Sequence, residues 1–239
     1  MKSLARVLVV AMLVVATAWI AGCKPQEQAA APTPPKPMKP GYPEPAVVKA
    51  CAAAPVIDGD LSDACWKTAE VAGTWVDVGT GRAVKPEGKV LVCYDAKNIY
   101  VAYLNPEPKM KDLVANATER DGNLWEDDSN ELFLDPSAGK KDYFQFIVNA
   151  SNVMYDGKGK DGTWNSTAKS AVKKTADGWS VEIAVPLAEL GAAVPLKGKT
   201  WTANFCRNRR VEVEPQSSAW CDTGSSFHNP EAFGKLKME

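Results

Sequence analysis

Short stretches of alternating or β-branched residues, each ended within a few positions by Gly, Pro, Asn or Asp, run through this chain from about residue 47 to its end. Lys89-Val90-Leu91-Val92-Cys93-Tyr94 and Asn98-Ile99-Tyr100-Val101-Ala102-Tyr103 stand on either side of an Asp-Ala-Lys turn. Glu131 to Leu134, Tyr143 to Val148, Trp179 to Val185 and Thr200 to Phe205 follow. Many short strands with little helix between them predict an all-β fold, an antiparallel β-sandwich of jelly-roll type. Helix is expected only as one or two short turns. One lies near Ser62 to Trp66, and a second is Pro186-Leu187-Ala188-Glu189-Leu190, with proline at the first helical position and Gly191 as the stop. No internal repeat is present.

Alternation also assigns faces. In Phe144-Gln145-Phe146-Ile147-Val148 the residues 144, 146 and 148 point one way and are all apolar, so that side faces the core. Gln145, Ile147 and Asn149 then share the outer face. In Asn130-Glu131-Leu132-Phe133-Leu134 the core pair is Leu132 and Leu134, leaving Glu131 and Phe133 outward.

The N-terminus reads MKSLARVLVVAMLVVATAWIAGC. Lys2 and Arg6 precede an apolar run, Val7 to Ile20, that is short for a membrane span and ends in small residues, as a secretory signal does. Ile20-Ala21-Gly22-Cys23 resembles the bacterial lipobox, which implies a signal over residues 1–22 and a lipidated Cys23. Such an anchor holds a protein to a membrane without a spanning helix. Lys24, rather than aspartate, follows the cysteine and favours the outer membrane or cell surface. Residues 23–46, with KPQEQAAAPTPPKPMKPGYPEP after the cysteine, form a proline-rich tether that rises about 3.1 Å per residue in polyproline II form. Residues 47–239 are long enough for one domain with its own core.

The formal net charge is −1; loss of Lys2 and Arg6 with the signal leaves 26 positive residues against 29 acids, a formal −3. That balance carries no electrostatic footprint for nucleic acid, nor for polyanionic substrates. Beyond Cys23 there are five cysteines, an odd number, so at least one thiol stays unpaired within the chain. Cys206 and Cys221 lie on strand-like segments joined by a polar turn and are the favoured disulfide; Cys51 with Cys65 comes next. No CxxC occurs, and a single histidine leaves too few partners for the usual zinc sets.

Six motifs then occur in a familiar order. They are Pro55-Val56-Ile57-Asp58-Gly59-Asp60-Leu61-Ser62-Asp63-Ala64-Cys65-Trp66, the hairpin Tyr94 to Ala102, Trp125-Glu126-Asp127-Asp128-Ser129-Asn130-Glu131-Leu132-Phe133-Leu134-Asp135, Tyr143 to Asn149, Gly178 to Pro186, and Asn229 to Leu236. Together they resemble the family-9 carbohydrate-binding modules over nearly all of residues 55 to 237. The resemblance implies a β-sandwich that recognises sugars by clamping a ring between two aromatic side chains, without catalysis, often beside glycoside hydrolases that degrade polysaccharides. Position by position it places Trp125 as one clamp ring, Phe227 as the second, Glu131 as the carboxylate that accepts sugar hydroxyls, and Gln145 as a polar partner. Ile147 stands where sugar-binding members carry arginine, and Cys206 where they carry glutamine; Arg207 or Arg209 is the nearest substitute cation.

The five carboxylates of residues 124–136 admit other readings. Catalysis requires two carboxylates facing each other across a scissile bond, whereas Glu131 and Asp135 are two pleats apart on one strand. Calcium is a candidate cofactor at Asp127 and Asp128 or at Asp58, Asp60 and Asp63, although the EF-hand spacing is absent. Asp127 and Asp128 are read as turn elements. Trp66 and Trp179 are expected in the core, and Trp75, Trp164 and Trp220 in core or rim. Sandwiches related to this family bind haem; Met110, Met154 and His228 are the available ligands here. A third reading is a surface scaffold for protein contacts whose sugar site has degenerated.

Overall fold

The computed structural model describes residues 43–71, 73–212 and 216–239. The signal, Cys23 and most of the tether lie outside the described residues. Among the described residues the chain is all-β, with twelve strands and almost no helix. In chain order the strands are β1 (Ala46–Ala50), β2 (Val76–Asp77), β3 (Lys89–Tyr94), β4 (Asn98–Pro106), β5 (Ser129–Asp135), β6 (Phe144–Asn149), β7 (Met154–Lys158), β8 (Lys169–Lys174), β9 (Gly178–Pro186), β10 (Thr200–Arg209), β11 (Gln216–Ala219) and β12 (Gly234–Met238).

Ten of them form one hydrogen-bonded path, β7-β6-β5-β10-β12-β1-β3-β4-β9-β8, while β11 pairs with β10 and β2. β1 is the joint: its first residues pair with β12 and its last with β3, in parallel both times. The other pairings are antiparallel. The path curls so that its two halves share a core. Val101 and Tyr103 of β4 and Ile183 and Val185 of β9 meet Leu132, Leu134, Phe146, Val148 and Phe205 from the other half. The Tyr103 hydroxyl satisfies its buried polarity by donating to the Glu131 carbonyl (2.9 Å). Period-2 patterning thus selects the core side as expected: Leu132, Leu134, Phe146 and Val148 are fully buried.

The Pro55 to Trp66 motif wraps one buried carboxylate. Glu182 of β9 accepts from the Asp58 N–H (3.0 Å), the Gly59 N–H (2.6 Å) and Trp66 Nε1 (2.8 Å). Gly59 sits at φ +84°, and a Cβ there would come within 2.7 Å of the Lys173 backbone, so the close approach requires glycine. Asp63 Oδ2 and Asp58 Oδ1 accept from Val56 N and Asp60 N, and Asp60 Oδ1 accepts from Ser62 N, so these acids brace the turn. A 3-10 turn, Ala64–Thr68, follows and buries Trp66. Trp179 is buried as expected, Trp75 and Trp220 lie in the core, and Trp164 packs against Phe144.

Three expectations need correction. Pro186 to Leu190 is not a helix: Pro186 ends β9 and a hydrogen-bonded turn follows, closed by Gly191 at φ +61°. The Cys206–Cys221 disulfide is not formed, and both thiols are free. Register explains it, because Cys206 pairs with Ala219 and packs with Phe133 and Phe233, whereas Cys221 packs in the main core. Cys51 and Cys65 are also free thiols. Finally, the second face of β5 and β6 is not open. Phe133 and Ile147 are fully buried, because Tyr143, Phe227, His228 and Phe233 close over Phe133 at ring separations of 5.3–6.4 Å.

Candidate functional site

That covering layer stops short of the Trp125 end of β5, and a cavity of about 310 Å³ opens there. Trp125 belongs to a 3-10 turn, Leu124–Glu126, just before β5. Leu124 is buried beneath the turn, which leaves the neighbouring indole 42% exposed. Tyr155 meets it edge-on, with ring centroids 6.2 Å apart. Such an arrangement fixes the ring while keeping a face available. Phe227, from the loop after β11, is half-buried and packs edge-on against Phe133. Trp125 and Phe227 line the same cavity, although they lie a hundred residues apart in the chain.

The polar part of the cavity centres on Glu131. Its Oε2 accepts from Gln145 Nε2 (2.7 Å) and its Oε1 from Asn208 Nδ2 (2.6 Å). Burial pushes the carboxyl above the ordinary range, and the two amide donors act against that shift. Two bonds leave lone pairs on both oxygens, since a carboxylate has about four acceptor sites. Asn208 is held in turn: its Oδ1 accepts from Arg210 Nη2 (2.8 Å) and Ser217 Oγ (3.2 Å). Arg210 also donates to the Trp125 carbonyl (2.8 Å), tying the polar chain to the aromatic ring. His228, whose Nδ1 contacts the Tyr143 hydroxyl at 2.8 Å, completes one side.

Trp125, Glu131, Gln145 and Phe227 are therefore brought together in one place. Arg207 is not. Side chains alternate along β10, so Asn208 shares the face of Cys206, which pairs with Glu131, and Arg207 points the other way. It is 2% exposed and donates to Glu107 Oε2 (3.1 Å) and the Pro106 carbonyl (3.2 Å). Burial pulls its pKa down to about 10 against the pull of Glu107. Arg209 makes two bonds to the same Glu107, at 2.7 and 2.9 Å. Asn208, Ser217 and Arg210 carry no signal of this site in the sequence motifs, and His228, a haem-ligand candidate there, instead lines this cavity. Strand parity alone pointed to Asn208.

Ile147 and Cys206 flank Glu131 directly, one on each neighbouring strand. The acid thus has apolar neighbours across both ladders, and its polar partners, Gln145 and Asn208, stand two residues further along those strands. Asp127 and Asp128 are fold elements. Asp127 accepts from the Asn116 and Ala117 N–H groups and from Asn149 Nδ2, and Asp128 from the Val114 and Arg210 N–H groups. Their oxygens are taken up by these backbone N–H groups and the Asn149 amide, and among the described residues no group of three or more His, Cys, Asp or Glu is placed to hold a metal ion. The three haem-ligand candidates do not converge either. Met110 and Met154 pack with the main core, whereas His228 lies against Phe133 on the opposite side of the sheet.

The sequence profile described as "Carbohydrate family 9 binding domain-like" matches residues 57–239. Endo-1,4-beta-xylanase A of Thermotoga neapolitana is 31% identical over 192 residues, which cover 77% of this chain and 17% of that enzyme. The chain thus spans about a sixth of the length of the curated relatives it matches, and the match falls in their family-9 module region, outside the catalytic domain. A carbohydrate-binding module of family 9 from Caldicellulosiruptor kristjanssonii, solved with cellotriose, superposes with a TM-score of 0.62 at 19% identity, covering 82% of this chain and 94% of that one. A family 9 module from the same organism solved with glucose gives a TM-score of 0.60 at 20% identity, covering 81% of this chain and 95% of that one. Those two likenesses show the fold. Fold, motif order and profile converge: the chain belongs to the carbohydrate family 9 binding domain-like family, whose domain is a non-catalytic binding module.

Proposed function

We propose that this protein is a carbohydrate-binding lipoprotein, a jelly-roll-like β-sandwich that grips one neutral sugar ring between Trp125 and Phe227. The observation that carries the reading is the convergence of both rings and the Glu131–Gln145–Asn208 group on one cavity of about 310 Å³. That volume is at the low end of the ~300–1,000 Å³ typical of small-molecule sites, which suits a mono- or disaccharide end. A pyranose offers apolar C–H faces to the flat rings and hydroxyls to the acid and amides. Glu131 accepts from hydroxyls, while Gln145 and Asn208 fix its orientation. Among the described residues, the ionisable side chains that line the cavity are Glu131 and His228. Burial holds His228 below its ordinary pKa and keeps it neutral. A sugar acid would bring a second carboxyl against Glu131 and is disfavoured; gluco- and xylo-oligosaccharides bring none.

The lipobox-like Ile20-Ala21-Gly22-Cys23 and the proline-rich stretch after it support export and anchoring to a bacterial membrane, with the binding face held away from the lipid. A glycoside hydrolase supplied by another chain is the natural companion, the module keeping polysaccharide ends close to it. One observation favours a second reading, a surface scaffold with a degenerate site: Ile147 and Cys206 remove polar partners on both sides of Glu131. Calorimetric titration with cello- and xylo-oligosaccharides separates the two. Saturable heat with the wild type and its loss in Trp125→Ala support sugar binding. No heat with any neutral oligosaccharide at millimolar concentration favours the scaffold.

A further inference from the structure

Three thiols converge where the first strand leaves the sheet. β1 runs parallel to β3, with Lys49 level with Cys93 and Ala50 level with Tyr94. The chain then continues so that the Cys51 N–H donates to the Tyr94 carbonyl (2.8 Å), and the Cys51 thiol reaches the same carbonyl oxygen at 3.2 Å. The 3-10 turn Ala64–Thr68 packs against the same strand and delivers Cys65. Cys51 and Cys65 both pack against the small buried cluster that contains Cys93. All three line one cavity of about 380 Å³, remote in the fold from the glycan site and sharing no residue with it. Cys93 is buried at its floor, and Cys51 and Cys65 stand half-exposed at its rim.

Joining two of three thiols that line one cavity leaves a third beside the bond. We propose that Cys51, Cys65 and Cys93 form a thiol–disulfide exchange site, in which Cys93 bonds to one rim cysteine and the other rim thiol can displace it, with small disulfides of the glutathione type as oxidant. A rim thiol gives its proton to solvent and attacks one sulfur of the small disulfide, forming a mixed disulfide and expelling a small thiolate that takes up a proton. Cys93 then loses its proton and attacks the rim sulfur. The protein S–S bond forms, and the second small thiolate leaves and is protonated. Two protein thiols are thereby oxidised by two electrons, and one small disulfide is reduced to two thiols. Exchange within the site needs no oxidant: the spare rim thiolate attacks the Cys93 sulfur and releases the other rim cysteine.

The surroundings set the rate. Burial pushes all three thiols up, Cys93 furthest, so thiolate is scarce at neutral pH and exchange accelerates as the solution becomes more alkaline. The rim position lets a small disulfide reach Cys51 and Cys65 first. Either bond would fasten a different segment to β3, the start of the sheet or the turn that wraps Glu182. Cys206 and Cys221, buried elsewhere, take no part. This inference does not rest on sugar binding.

The test equilibrates the full chain with defined ratios of reduced and oxidised glutathione, quenches with acid, alkylates under denaturing conditions and maps peptides by mass spectrometry. One intrachain disulfide is expected, divided between Cys51–Cys93 and Cys65–Cys93 peptides, forming faster from about pH 7 to about pH 9. Cys51→Ser should move all of it to Cys65–Cys93, and Cys65→Ser should move it to Cys51–Cys93. Cys93→Ala should leave both rim thiols without an intrachain bond, with circular dichroism confirming that each variant is folded. Full alkylation of all three cysteines under oxidising ratios, mixed disulfides with no intrachain bond, or an undiminished Cys51–Cys65 bond in Cys93→Ala would each overturn the proposal.

Discussion

Replacing Trp125 with alanine tests the aromatic half of the proposed sugar site with little damage to the fold. The indole is 42% exposed, and an aromatic side chain of this kind buries about 150–250 Å² when fully covered, so roughly 60–100 Å² remains for a ligand. At about 25 cal/mol per Å², covering that area contributes about 1.5–2.5 kcal/mol. Trp125→Ala should therefore weaken oligosaccharide binding by about 10- to 60-fold, at 1.4 kcal/mol per tenfold. The stability cost should be small, because the ring's aromatic contact is one edge-on pair with Tyr155, worth about 0.5–1.5 kcal/mol. That corresponds to a fall in Tm of no more than about 6 °C for a domain of this size. Calorimetric titration and thermal melts on the same samples read both quantities. An affinity within twofold of the wild type would refute the reasoning, as would a collapse of the fold, since the ring would then be structural rather than a contact surface.

Other consequences follow from the same geometry. Glu131→Gln keeps the shape but turns one of the amide donors of Gln145 or Asn208 toward another donor; a buried unpaired group costs about 1–3 kcal/mol, which melts will show, and titrations should show weaker sugar binding as well. Burial raises the Glu131 pKa in the folded state, so its stabilising contribution is fully present below the ordinary carboxylate value and is lost as pH rises from there through the raised value. The stability gap between wild type and Glu131→Gln should therefore narrow across that window in denaturant titrations, and a widening gap would contradict the sign. Glu107→Gln strips the buried Arg207 of its carboxylate partner and should destabilise by about 3–5 kcal/mol, with oligosaccharide affinity unchanged because this pair lies on the other face of β10. Cys23→Ser should abolish the mass of an attached lipid and move the protein from the membrane fraction to the soluble one on cell fractionation.

The core of this fold was legible because it obeys a local rule. Leu132, Leu134, Phe144, Phe146 and Val148 could be assigned to one side by period 2, and they pack there. The opposite side was misjudged as exposed because its cover is non-local. Phe133 is buried by Phe227, His228 and Phe233, which arrive about ninety-five to a hundred residues later, and no window of sequence around β5 reports them. Trp125 and Phe227 could be placed at one site only through the family resemblance, for the same reason. Arg207 is placed away from the cavity by the same local rule. Counting along β10 from Cys206, which pairs with Glu131, reaches Asn208 on the same face and leaves Arg207 behind it. The Cys206–Cys221 pairing failed on register: a polar turn between two strands predicts nearness, but not which residues stand opposite.

The most direct measurement of the central claim is a crystal structure of the protein grown with a neutral oligosaccharide such as cellotriose. A terminal ring should lie in the cavity beside Trp125 and Phe227, its flat face against the indole and a hydroxyl within hydrogen-bonding distance of Glu131. Sugar density elsewhere on the surface, or an empty cavity at saturating ligand, would contradict it.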